Sequence, residues 1–250
     1  MDQTPFQLGE QGKDSSGQPR TVDTRLYFQL HVFGGCTDDG AVSSAVQAAA
    51  GSTGSFEGVV YKDLSDPKGI AVLAVHEDPE YFVTNLRNLF ASEPFASLTP
   101  KPKMTMFGRT YSIGYEVDLE DILLSRPRRR ICNPAYAWAV WYPLRRAGSF
   151  ERLESKEQNA ILMEHAALGI SFSQTGFGQD IRLACHGLDK NDNDFVIGLV
   201  GSELYPLSAM VQAMRKTTQT SLHLESLGPF FIGRTLWQSE PPPEGELVST

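Results

Sequence analysis

The residue with the most chemical potential in this chain is a helical histidine. His165 lies in Ile161-Leu162-Met163-Glu164-His165-Ala166-Ala167-Leu168-Gly169. Helical spacing puts it on one face with Ile161 and Leu168. A neutral imidazole on an apolar face can bind a metal ion through one ring nitrogen, and Gly169 leaves room one turn on. Taken alone, the pattern also describes a core histidine hydrogen-bonded to its neighbours, which is the commoner case.

Charge supplies a second signal. The net charge is -8, yet between Arg126 and Arg146 lie six arginines and no acid: Arg126, Arg128, Arg129, Arg130, Arg145 and Arg146. The guanidinium fork matches carboxylate geometry; the bland alternative is a solvated basic loop. Arg146 is the best placed, because it closely follows the aromatic run Trp138-Ala139-Val140-Trp141-Tyr142. In Tyr142-Pro143-Leu144-Arg145-Arg146 a phenol and two cations meet at a strand end. A packed cross-strand tyrosine would look the same.

The elements that must position these residues are legible from periodicity. Leu26–Phe33 alternates as a strand, and Ala41–Ala50 reads as a short helix. Strands follow near Val59–Tyr61 and Gly69–Val75, and Asp78-Pro79-Glu80 opens a helix with Phe82, Leu86, Leu89 and Phe90 on one face. Ala135–Tyr142 is a strand, and Ser155 with Gln158 matches a capping box that starts a helix running to about Ala167. Strands near Ile181–Cys185 and Phe195–Val200 lead to a helix from Pro206. Ile70–Val75 leading to Leu86-Arg87 is weakly echoed by Phe195–Val200 leading to Met214-Arg215. The pattern predicts an α+β chain of two similar halves, each an antiparallel sheet backed by helices. The expected boundaries are a flexible tail at 1–23, a first half at 24–115, a linker with the basic segment at 116–134, a second half at 135–237 and a flexible tail at 238–250.

Composition narrows the setting. The chain has 250 residues, 41% apolar and 21% charged, as in ordinary soluble domains. Cys36, Cys132 and Cys185 lack the spacing of a zinc or redox motif, so they read as reduced thiols and point to the cytoplasm. No run reaches the ~18 apolar residues of a membrane span, and the first residues lack a secretory pattern. The acidic balance argues against general nucleic-acid binding.

Three pieces, in order, resemble the chlorite dismutase and coproheme decarboxylase superfamily. They are Tyr142-Pro143-Leu144-Arg145-Arg146, Leu162-Met163-Glu164-His165 through Gly169, and His186-Gly187-Leu188-Asp189 before Asp194-Phe195. Met214-Arg215 and Gly228-Pro229-Phe230-Phe231-Ile232-Gly233 resemble the decarboxylase ending. The resemblance implies two ferredoxin-like halves forming an α/β barrel, assembled as a homopentamer, with haem b or coproheme in the second half. His165 then falls on the proximal iron ligand and Tyr142 on a radical-relay tyrosine. Arg146 takes the place of a pocket lysine, and Thr220 falls near a propionate contact. On the distal side the family spacing forward from His165 and backward from Gly187 disagree by two residues, which leaves Gln179 and Arg182 as alternatives. The connection from Arg146 to Ser155 is short and lacks the usual tryptophan. The implied activity is peroxide-dependent oxidative decarboxylation of coproheme propionates. The alternatives are chlorite dismutation, with a small oxyanion as substrate, and non-catalytic haem binding or sensing.

Overall fold

The computed structural model describes residues 7–51 and 56–241. Its elements in chain order are β1 (Glu10–Lys13), β2 (Pro19–Val22), β3 (Tyr27–Gly34), α1 (Asp39–Ala50), β4 (Glu57–Asp63), β5 (Ile70–His76), α2 (Glu80–Val83), α3 (Asn85–Phe90), β6 (Thr99–Pro100) and β7 (Met106–Arg109). Then come α4 (Arg126–Ile131), β8 (Trp138–Arg146), α5 (Ser155–Gln174), β9 (Gly178–Ala184), β10 (Phe195–Gly201), α6 (Leu204–Met214), α7 (Thr218–Leu222), β11 (Leu224–Leu227) and β12 (Phe231–Gln238).

Strand pairing explains the sequence echo. In the first half the order is β7-β3-β5-β4, and in the second it is β12-β8-β10-β9, all antiparallel. Numbered within each half, both read fourth, first, third, second, with a helix after the first strand and helices after the third. These are the two ferredoxin-like halves. β4 joins β12, and β7 joins β9 at Arg109 and Ala184, so eight strands close into a barrel.

Alternation along each strand sends one face into the barrel and the other under the helices. The interior holds Phe28, Leu30, Tyr61, Trp141, Ile181, Leu183 and Phe231, all buried. Gly198 lies opposite Trp141, and a Cβ there would stand 2.5 Å from the indole ring. Glycine at that position is therefore a packing requirement. Outside, α1–α3 cover the first half through Val42, Val46, Tyr81 and Leu86. The second half is covered by Leu207 and Met210 of α6 over Val140, Tyr142 and Leu144. α5 differs: none of its 20 residues is buried.

His31 packs on the first half's outer face, its ring edge-on to Phe90 at 4.9 Å. Burial lowers its pKa to about 4. The folded state therefore resists protonation, so His31 stabilises above the unfolded pKa, and that contribution is lost as pH falls from about 6.5 toward 4. We expect a loss of about 3 kcal/mol across that window. The check is urea midpoints of wild type and His31→Leu at several pH values; equal pH slopes would refute it.

Two expected boundaries differ in detail. Residues 10–22, placed in a flexible tail, pair as the hairpin β1–β2. Asp14 Oδ1 holds its turn by accepting from Ser16 and Gln18 N–H, and Glu10 reaches Arg109 at 2.8 Å. Residues 1–6 and 242–250 lie outside the described residues. The segment 116–134, expected as a linker, buries Leu119, Leu123 and Ile131 and carries a π-helical turn (Asp121–Ser125) running into α4. Ser155 is also not a cap. Glu154 holds that place, and Gln158 Nε2 donates to the Phe150 carbonyl at 3.0 Å instead.

The basic run is internally paired. Arg128 Nε lies 2.9 Å from both Glu57 oxygens, and its Nη1 is 3.1 Å from Glu77. Arg126 and Arg129 share Asp121. Burial pushes the Glu57 carboxyl pKa up and Arg128 opposes this. Arg128→Ala strands that acid, and we expect about 2–4 kcal/mol of lost stability, read as a lower urea midpoint. Glu57→Gln in the same background should recover part of it.

Candidate functional site

Because α5 stands off the sheet, a cavity of about 530 Å³ opens between it, β9, α4 and the chain after β7. His165, Gly169 and Ile170 line it from α5, Asp180 and Arg182 from β9, Arg126 and Arg130 from α4, and Tyr111 from the loop. The strand register explains which β9 residues reach it. Asp180 pairs with Leu199, and Arg182 pairs with Ile197, which in turn pairs with Tyr142. Tyr142, Ile197 and Arg182 therefore form one row on the helix-facing side of the sheet.

His165 lines the cavity from α5. It is half-buried, and its Nδ1 is 3.3 Å from Thr217 Oγ1. Burial, then the nearby Arg182 and Arg146 charges, lower its pKa, so the ring is neutral at pH 7. Gly169 lies one turn on at the cavity wall. The nearest atom to a Cβ there would be Met214 Cε at 3.7 Å, so a larger side chain would take up cavity space.

The distal alternatives separate. Arg182 lines the cavity and is exposed, with Nε 3.3 Å from Asp180 Oδ2. Gln179 does not line it; its register puts it on the opposite face, and Nε2 donates to the Ser173 carbonyl at 3.3 Å. Asp180 is held from the other side by Arg130, whose Nη1 is 3.2 Å from Oδ1. The wall across from α5 thus carries an Arg130–Asp180–Arg182 chain with one positive charge in excess.

The remaining expected residues sit behind that wall. Tyr142 is 6% exposed and stacks on Phe230 at 4.6 Å. Burial raises its phenol pKa, so it stays protonated. The Arg146 guanidinium lies between the rings of Phe150 and Phe195, 4.8 and 4.7 Å from their centres. Its Nε is buried with no hydrogen-bond partner among the described residues. Neither Tyr142, Arg146 nor Thr220 lines the cavity. Thr220 donates its backbone N–H to Thr217 Oγ1 at 3.5 Å. Arg145 turns to Asp192 at 2.8 Å. Sequence reasoning missed Tyr111, Arg130 and Thr217 as site residues; Arg130 is visible only as part of the basic run, and the other two carry no local pattern.

The chlorite dismutase family model matches residues 55–236. The chain belongs to the chlorite dismutase family. A comparison with curated proteins finds no match. Among solved structures, the chain is similar to a chlorite dismutase of Candidatus Nitrospira defluvii in complex with imidazole. That match has 15% identity and a TM-score of 0.66, covering 86% of this chain and 92% of the other. It is also similar to a haem-binding protein from Thermus thermophilus, with 16% identity and a TM-score of 0.62 over 85% of this chain and 93% of the other. At such identities the structural likeness establishes the shared fold. Among the described residues, no helix of this family member is long and apolar enough to cross a membrane.

Proposed function

We propose that the chain binds a haem-type iron porphyrin in the cavity under α5, where His165 would hold the iron through Nε2. The observation that carries this reading is a half-buried histidine on the wall of a cavity of about 530 Å³, its Nδ1 held at 3.3 Å by Thr217 Oγ1. No group of three or more His, Cys, Asp or Glu side chains suited to a bare ion occurs among the described residues. A lone imidazole suits an iron whose other ligands come from a macrocycle. The kinship of the fold agrees with this, since one structural neighbour is a haem-binding protein.

An iron porphyrin bound there supplies redox chemistry with peroxide or a small oxyanion. The chain's own groups bind and orient. Arg182 offers its exposed guanidinium to a propionate carboxylate or to an oxyanion, while Arg126 and Arg130, already paired with Asp121 and Asp180, add positive charge at the cavity wall. Tyr142, two strands from Arg182 in the same row, holds its hydrogen at neutral pH. Peroxide-dependent oxidative decarboxylation of coproheme to haem b is the first reading, supported by the family resemblance and by the cations at the cavity; Tyr142 would act in it from behind the wall. The Arg182 cation at the cavity equally favours a second reading, chlorite dismutation. Titrating the apo-protein with haemin and with iron coproporphyrin, and following the absorption spectrum, tests the binding. Adding peroxide with mass spectrometry of the porphyrin, or chlorite with oxygen detection, then separates the activities. Binding without either turnover would assign a carrier or sensor.

The family resemblance supports a homopentamer. Light scattering should then give about five times the 27.6 kDa chain mass; a monomer would refute it.

A further inference from the structure

We propose that Thr217 is the positioning residue that fixes His165 as its Nδ1–H tautomer and so turns the Nε2 lone pair toward the cavity. A threonine hydroxyl has one proton to donate and two lone pairs to accept with. The Met214 carbonyl can only accept, and it lies 2.8 Å from Thr217 Oγ1. That contact commits the hydroxyl proton. The Thr220 N–H, 3.5 Å away, can only donate to the same oxygen. Thr220 Oγ1 also lies 3.3 Å from this oxygen, and its rotatable hydroxyl can turn its proton elsewhere; His165 Nδ1, at 3.3 Å, then faces a lone pair and carries the proton itself. Nε2 is then left bare, which is the state a metal or other electrophile requires of imidazole.

A second contact locks the same geometry. The carboxylate of Glu164, the residue before His165, accepts the Thr218 N–H at 3.0 Å. Two successive residues of α5 are thus tied to two successive residues at the start of α7. Rotation of α5 about its axis would break both ties, so the direction of the imidazole is set by the α6–α7 turn, 52 residues away in sequence. The partner is a neutral hydroxyl; it orients the ring without placing a carboxylate charge on it.

The tautomer assignment does not depend on the ligand; only the binding arm of the test rests on the porphyrin reading. The experiment is nitrogen NMR of histidine-labelled apo-protein, with the His165 signal assigned by its loss in His165→Ala. The wild type should show a protonated Nδ1 and a bare Nε2, although free histidine favours the opposite tautomer. Thr217→Val should shift the population toward Nε2–H, and Thr217→Ser should restore the wild-type pattern. With haemin as the probe, Thr217→Val should bind roughly 10–100-fold more weakly, with Thr217→Ser close to wild type. An Nε2–H tautomer in the wild type, or a tautomer indifferent to Thr217→Val in a folded variant, would overturn the proposal. If the valine variant does not fold, the wild-type spectrum alone decides. Failure of the wild type to bind haemin would instead overturn the porphyrin reading and leave the tautomer result to stand or fall separately.

Discussion

His165→Ala is expected to abolish the imidazole-ligated spectrum of the haemin complex. Affinity should fall by more than the roughly 10–100-fold that loss of an outer-shell partner costs. The substitution removes the ring on the cavity wall and leaves the cavity otherwise intact. Ile170, Met214 and the arginines still line it, so weak binding should persist through apolar burial and carboxylate contacts. Free imidazole has room to enter the space left by the ring and should restore the spectrum. The helix should stay folded, because alanine is the best helix former and His165 is not a buried core residue. Absorption titrations of wild type and variant, with and without imidazole, check this. An unchanged spectrum in the variant would remove His165 from the site.

The second large effect is expected at Tyr142. With iron coproporphyrin and hydrogen peroxide, the wild type should release CO2 and convert propionates to vinyl groups. Tyr142→Phe should stop that conversion while leaving binding intact. Phenylalanine keeps the ring that stacks on Phe230 at 4.6 Å, so the outer face of the sheet should remain packed. It removes the oxygen whose hydrogen atom would be exchanged. Burial keeps that phenol protonated through neutral pH, so the group is ready to give up a hydrogen atom. Arg182 lies in the same cross-strand row, two strands and about 10 Å away, and can hold a carboxylate on the cavity side of the wall. Mass spectrometry of the porphyrin during peroxide titration separates outcomes. A Tyr142→Phe variant with full turnover would make Tyr142 a packing residue. A wild type that leaves coproporphyrin untouched would sink the decarboxylase reading and favour the Arg182-based chlorite reaction or binding alone.

Much of the architecture follows from local sequence. Alternation in Leu26–Phe33 and the apolar run Ile70–Val75 are consequences of strands whose faces are both covered, and each meets a strand in the structure. The histidine helix is legible for the same reason, since an apolar stripe at helical spacing needs only one neighbour to cover it. Its length is not. Periodicity ends near Ala167, but α5 runs to Gln174. Beyond Gly169 it packs Phe172 on the core while Ile170, Ser173 and Gln174 line the cavity, and that mixture of surroundings blurs the apolar periodicity while the backbone continues.

What only the tertiary structure decided is which groups meet. The stretch from Arg126 to Arg146 contains no acid, so in sequence it looks like a free basic surface. Its counter-ions Glu57, Glu77 and Asp180 arrive from β4, the turn after β5 and β9. Family spacing leaves Gln179 and Arg182 undivided. The strand register settles which of them lines the cavity, because adjacent residues on a strand face opposite sides. Thr217 has no signal near His165 at all, since a hydroxyl that accepts one hydrogen bond leaves no pattern in composition or periodicity. By itself, then, the sequence determined the first three strands of each half, the main helices and the paired halves, because those depend on side chains within a few turns of one another; the fourth strands β7 and β12 and the β1–β2 hairpin carry too weak a local pattern to be read. The pairing of charges, the side of the sheet that each residue faces and the partner of the imidazole depend on contacts between distant segments, and folding alone brings those together.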